Sequence, residues 1–146
     1  MENKKIIKFE IVTPEKHIMK EYVKQVTIPT LEGDLTILPK HTPLVATLRS
    51  GVLEMTKEDE GSEVAFVSGG FLEVLRDKVV VLADVAERAE EIDESKVEEA
   101  RAKAEREMAE IRAEDTERFA NISAQIEREL ARTKALRRWK HLKNIK

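Results

Sequence analysis

Glycine and proline stop at residue 70. All five glycines (33, 51, 61, 69 and 70) and all four prolines (14, 29, 39 and 43) lie at or before that point, leaving 76 consecutive positions with neither residue. Tight turns draw on glycine for positive φ and on proline for a fixed φ, whereas helix interiors exclude both. The chain therefore divides into a turn-rich first part and a long uninterrupted second part, and no single repeating architecture spans both.

The first part, residues 1–86, reads as short β-rich runs over 6–12, 22–28, 35–38, 51–55, 64–67, 71–75 and 79–82. Turn signals separate them at Thr13-Pro14-Glu15, Glu32-Gly33-Asp34, 57–61 and Arg76-Asp77-Lys78. Ile7, Phe9 and Ile11 alternate with Lys8 and Glu10, which puts one side of that strand in a core and the other in water. Strands recurring at this spacing predict an antiparallel β-sandwich or barrel. Ser68-Gly69-Gly70 has the look of a phosphate loop but lacks the following Lys and Ser or Thr, so it reads as a tight turn or bulge.

In the second part, residues 87–146, the period changes. Val97, Ala100, Ala104, Met108 and Ile111 line one face of a helix, and Phe119, Ile122, Ile126 and Leu130 repeat the spacing on a second. Asp93 suits the N-cap of the first helix and Asp115 or Thr116 that of the second. The reading is an antiparallel two-helix hairpin, and its turn at 113–117 lacks Gly and Pro, so the local sequence would also allow one long helix. Charge is sorted along it. Residues 91–117 hold 11 acidic and 5 basic side chains, net -6, while residues 118–146 hold 9 basic and 2 acidic, net +7. Opposite charge favours antiparallel packing and leaves a basic tail, Arg128, Arg132, Lys134, Arg137, Arg138, Lys140, Lys143 and Lys146, able to engage an acidic surface.

Several function classes fall away. There is no Cys, and His17, His41 and His141 are scattered, so no metal site is expected. The longest apolar run, Val79 to Ala83, is far short of a membrane span, and residues 1–5 do not lead into a signal-peptide core. Ser68 and His41 could be drawn into a hydrolytic triad, but no nucleophile-elbow spacing supports it. Aromatic residues are only 4% of the chain, a poor supply for stacking bases on the basic helix. A sandwich adaptor that binds nucleic acid through that helix, and a small hydrolase, are the rival readings.

Three strings carry a resemblance: Glu32-Gly33-Asp34-Leu35-Thr36-Ile37-Leu38-Pro39-Lys40-His41-Thr42-Pro43-Leu44, then Val67-Ser68-Gly69-Gly70-Phe71-Leu72-Glu73-Val74, then residues 81–93 from Val81 to Asp93. In this order, followed by an Ala-rich double helix, they resemble the epsilon subunits of F-type rotary ATP synthases. The resemblance implies a non-catalytic rotor subunit on the cytoplasmic face of the bacterial inner membrane, reaching the membrane only through the complex. Its implied partners are the gamma subunit, the c-subunit ring and the catalytic alpha and beta subunits, with no nucleic acid. It implies rotor binding near Asp34 and His41, and restraint of ATP hydrolysis by the movable helices through Arg128, Arg132, Lys134, Arg137 and Arg138. No cofactor is required, but some members bind ATP as a regulatory ligand. The matching positions here are Glu87, Ile92, Asp93, Lys96, Val97, Arg128 and Arg132, with Lys96 and Val97 in place of the family's Arg and Ala. Thr36 and Lys40 stand where the family usually has Gly.

Overall fold

The computed structural model describes residues 5–144, so Lys146 of the basic tail and residues 1–4 lie outside the described residues. Seven strands come first: β1 (Ile7–Val12), β2 (His17–Thr30), β3 (Gly33–Ile37), β4 (Leu44–Thr47), β5 (Gly51–Lys57), β6 (Ser62–Val74) and β7 (Lys78–Arg88). A single 3-10 turn, Ala89–Glu91, leads to helices α1 (Glu94–Ala109) and α2 (Thr116–Leu142). The last strand thus runs two residues past the boundary expected at 86.

The hydrogen-bonded path runs β1-β7-β6-β5-β2-β3, and β1 also pairs with β2, which closes the sheet on itself. Two long strands make the corners of this sandwich by changing partners midway. The first half of β2 pairs with β1 and its end pairs with β3, while β6 pairs with β5 through residues 62–67 and with β4 through 71–74. All pairings but one are antiparallel; β1 and β7 run parallel. Because β1 is flanked on both edges, Glu10 is buried, contrary to the expected solvent-facing alternation. Its carboxylate lies 3.0 Å from Lys78 Nζ and 3.8 Å from His17 Nδ1, and the Lys78 ammonium holds it below the usual carboxylate range.

The runs expected at 64–67 and 71–75 are one strand. Its register with β7 is unbroken from Ala65↔Arg88 to Val74↔Val79, so Ser68-Gly69-Gly70 is neither turn nor bulge. Gly69 and Gly70 instead take φ values of +71° and +93° within the strand, where β6 closes on β7. The strand β4 was not expected; it is short, and it is held on the outer half of β6.

Two cores result. Ile7, Phe9, Ile11, Val23, Val26, Ile28, Leu53, Met55, Leu72 and Val81 fill the sandwich. A second core forms where α2 lies on the outside of the sheet: Val64, Phe66, Ala89, Ile92, Val97, Ala131, Ala135 and Leu136, with Trp139 packed against it. This explains why Val64-Ala65-Phe66-Val67 is continuously apolar. Ala65 and Val67 face the sandwich interior, and Val64 and Phe66 face the helix, so both sides of β6 are covered.

The helices begin at Asp93 and Asp115, whose carboxylates accept from the backbone N–H of Lys96 (3.3 Å) and Arg118 (3.2 Å), the N-cap bonds expected from the sequence. On α1 the expected stripe turns inward, with Val97 and Ala104 buried. On α2 it does so only in part. Ile122 is buried, but Phe119 and Leu130 are about half exposed. The face that meets the sheet carries Ala131 and Ala135, small residues that let helix and sheet approach closely.

Candidate functional site: the docked basic helix and the β3–β4 edge

The face of α2 toward the sandwich carries its cations in register with carboxylates on other elements. Arg138 pairs through Nε and Nη2 with both oxygens of Glu54 on β5, Lys140 reaches Glu94 at 2.6 Å on α1, and Lys143 Nζ donates to the Ser62 carbonyl at 3.2 Å. Glu54 holds the Arg138 guanidinium above its ordinary pKa, and the Lys140 ammonium holds the Glu94 carboxyl below its ordinary range. Arg137 is exposed and adds to the field on Glu94, while Lys134 is exposed along a groove between α2 and the β2–β5 region.

Arg132 is the most enclosed of these cations. Its Nε and Nη2 donate to the two oxygens of Glu87 on β7 at 2.9 and 3.1 Å, and its Nη1 donates to both oxygens of Glu129 at 2.8 and 3.1 Å. Burial opposes its charge, but the hydrogen bonds and charges of Glu87 and Glu129 outweigh that and hold its pKa above the ordinary value. Glu129 is only 7% exposed, a carboxylate buried on the helix face that meets the sandwich. Sequence reading missed it. The signal was present, since Glu129 sits midway between Ile122 and Leu136 at seven-residue steps, in a stripe otherwise filled by apolar side chains.

Of the positions implied for ATP, Glu87 and Arg132 are brought together. Arg128, one turn earlier, makes no ion pair among the described residues, and Lys96 is exposed and likewise without one. Asp93 is occupied as the N-cap of α1, and Ile92 and Val97 are buried in the second core. The cavity bounded by Glu94, Val97, Thr133, Leu136 and Arg137 holds about 30 Å³, the space of one water molecule. A nucleotide does not fit this docked arrangement, because every nitrogen of the Arg132 fork already serves a carboxylate.

The second candidate region is the β3–β4 edge. Asp34 on β3 is paired with Arg49 Nη2 at 2.8 Å, and His41 lies in the loop between β3 and β4, its Nδ1 2.7 Å from the Thr42 carbonyl oxygen. Lys40 has φ +64°, the left-handed region that favours glycine; an L side chain there costs about 1–2 kcal/mol. Thr36, the other departure, is an ordinary strand residue whose hydroxyl bonds that of Thr27 across to β2 at 2.8 Å. Asp34 also borders a groove of about 550 Å³ edged by Leu31, Val45 and Phe71, which are 68%, 69% and 55% exposed. Three large apolar side chains stand in water around one groove, an exposed patch that the polar motif reading does not find.

The described residues form a closed seven-stranded sandwich that carries a two-helix hairpin on its outer face. Residues 6–89 match the family described as ATP synthase, Delta/Epsilon chain, beta-sandwich domain, and the chain belongs to this family. Its relatives include ATP synthase epsilon chains. That of Herpetosiphon aurantiacus is 42% identical over 127 residues, covering 82% of this chain and 93% of its own, and that of Moorella thermoacetica is 40% identical over 129 residues, covering 88% and 95%. Among solved structures, a chain of the Euglena gracilis mitochondrial ATP synthase OSCP/F1/c-ring complex superimposes with a TM-score of 0.79 at 25% identity, covering 93% of this chain and 84% of that one. No helix of the described residues is long and apolar enough to cross a membrane.

Proposed function

We propose that this chain is a non-catalytic rotor subunit of a bacterial F-type ATP synthase, on the cytoplasmic face of the membrane, which joins the gamma subunit to the c-subunit ring and restrains ATP hydrolysis with its helices. The observation that carries the regulatory part is the pairing of α2. Three of its cations, Arg132, Arg138 and Lys140, are matched in the docked state by Glu87, Glu54 and Glu94 of this same chain. A helix held by charge pairs and a modest apolar face can exchange those partners for acidic segments of alpha and beta at little net cost, since both states satisfy the same cations. Glu10 and the sandwich core are untouched by the exchange, so the rotor-binding part stays folded. Nucleic acid has no place in this reading, because no aromatic platform accompanies the basic residues.

Truncation before Phe119 tests the restraint. The assembled complex carrying the shortened chain is expected to hydrolyse ATP faster by roughly fivefold or more, the low end of a coupling of about 1–3 kcal/mol. Equal rates for the truncated and intact complexes, at low and high salt alike, would remove the inhibitory role.

Rotor docking is assigned to the β3–β4 edge, with Asp34 and His41 beside the apolar rim of Leu31, Val45 and Phe71. Replacing Asp34 and His41 with Ala is expected to weaken binding to gamma about tenfold while the urea midpoint of the isolated chain stays in place. Unchanged affinity in a titration with gamma would move the docking surface elsewhere.

A further inference from the structure

We infer that Glu129 is a built-in anion for Arg132, filling with a carboxylate of the chain itself the position where a nucleotide phosphate would otherwise sit, so that the hairpin docks without ATP. This rests on the proposed role of α2 as a movable element. Three observations carry it. The Arg132 guanidinium is engaged on two sides, by Glu87 from the sandwich and by Glu129 from its own helix. Glu129 is nearly as buried as the apolar residues of the same helix face and has no other cation within ion-pair distance among the described residues. The cluster therefore holds two carboxylates for one guanidinium. Any phosphate brought to Arg132 would meet two negative charges in a partly dry site, where like charges repel far more strongly than in water.

The same arrangement explains why a carboxylate persists among Ile122, Ala131, Ala135 and Leu136. A buried acid is tolerated where it is paired, and Glu129 stands three residues before Arg132, the spacing at which side chains on one helix meet. Glu87 ties that pair to β7. Arg128, one turn away and unpaired among the described residues, can join Arg132 on a phosphate once Glu129 is gone.

The test uses the isolated full-length chain, ATP as the probe, and Trp139, the only tryptophan, as the reporter of docking, since its ring packs against the second core. In the native chain, millimolar ATP is expected to give no binding heat and no change in Trp139 emission. Glu129→Ala is expected to bind ATP at least roughly tenfold more tightly than the native chain, and adding Arg132→Ala to that variant should abolish the gain. If Glu129→Ala releases the hairpin, Trp139 emission shifts to the red, and ATP should then return it toward the native spectrum. Glu129→Gln, which keeps the shape and loses the charge, is expected to follow Glu129→Ala. Native binding as tight as that of the variants overturns the inference, and so does a variant that neither binds ATP nor recovers its emission. Either failure concerns the isolated chain alone and leaves the hydrolysis assay on the truncated complex to decide the proposed function.

Discussion

Gly70→Ala is expected to destabilise the sandwich severely, lowering its urea midpoint far more than Gly33→Ala does. A Cβ on residue 70 would lie 1.9 Å from the Leu82 carbonyl oxygen and 3.0 Å from the Ala83 Cα, both backbone atoms of β7. Neither can swing aside, because the ladder is paired on both flanks, Ser68↔Val85 on one and Phe71↔Leu82 on the other. The φ of +93° adds a conformation that L residues rarely adopt. Relief requires β6 and β7 to part over several pairs, at an expected cost above about 4 kcal/mol, a large share of the 5–15 kcal/mol that usually holds a domain together. Gly33→Ala is the matched control. It meets nothing within 4 Å and bears only the strain of φ +112°, so about 1 kcal/mol is expected. Urea melts of the two variants measure both, and equal midpoints would contradict the close approach of the strands at residue 70.

Arg132→Ala is expected to open the hairpin while the sandwich stays folded. The substitution strands Glu129, which is almost wholly buried, and Glu87, which is partly so, and removing one partner of a buried pair costs about 3–5 kcal/mol. Solvent reaches the edge of this cluster, so a value near about 3 kcal/mol is expected. Emission from Trp139 should move to the red with little change in the β-sheet signal of circular dichroism. Placing the same substitution in a Glu129→Leu background should cost far less, because no buried charge is left without a partner. Arg138→Ala, at a more exposed pair with Glu54, should change docking by no more than about 1 kcal/mol. Similar small shifts for Arg132→Ala and Arg138→Ala would show that the enclosed cluster does not dominate docking.

What could be read from the chain before its structure follows the range of the interaction concerned. The change of architecture was visible because Gly and Pro report local backbone needs, and the two helix starts because Asp93 and Asp115 cap by bonds to residues only three positions on. Glu10 was misplaced because its burial depends on β7, whose residues lie far along the chain. Gly69-Gly70 reads as a tight turn or bulge from sequence because glycine signals a positive φ equally well there and at a close strand approach. On α2, periodicity finds a helical face but not which face meets the sheet, and Phe119 and Leu130 are about half exposed. For the site, Glu87 and Arg132 came from family resemblance. Their pairing, and the part taken by Glu129, needed the fold, since Glu87 and Arg132 stand 45 positions apart.

The parallel pairing of β1 with β7 sets an order of events during synthesis. Lys8 lies opposite Lys78 and Val12 opposite Leu82, so one edge of β1 has no neighbour until β7 has left the ribosome. Contacts between such distant residues form slowly, because a long loop must be closed before any of them is rewarded. Until then β1 can lean only on β2, and an open strand edge invites pairing with other chains. The helices follow β7 in the chain and rest on a sheet that β7 completes. Nascent chains should therefore close the sandwich first and lay down the hairpin last, so that the part proposed to grip the rotor is finished before the part proposed to regulate it exists.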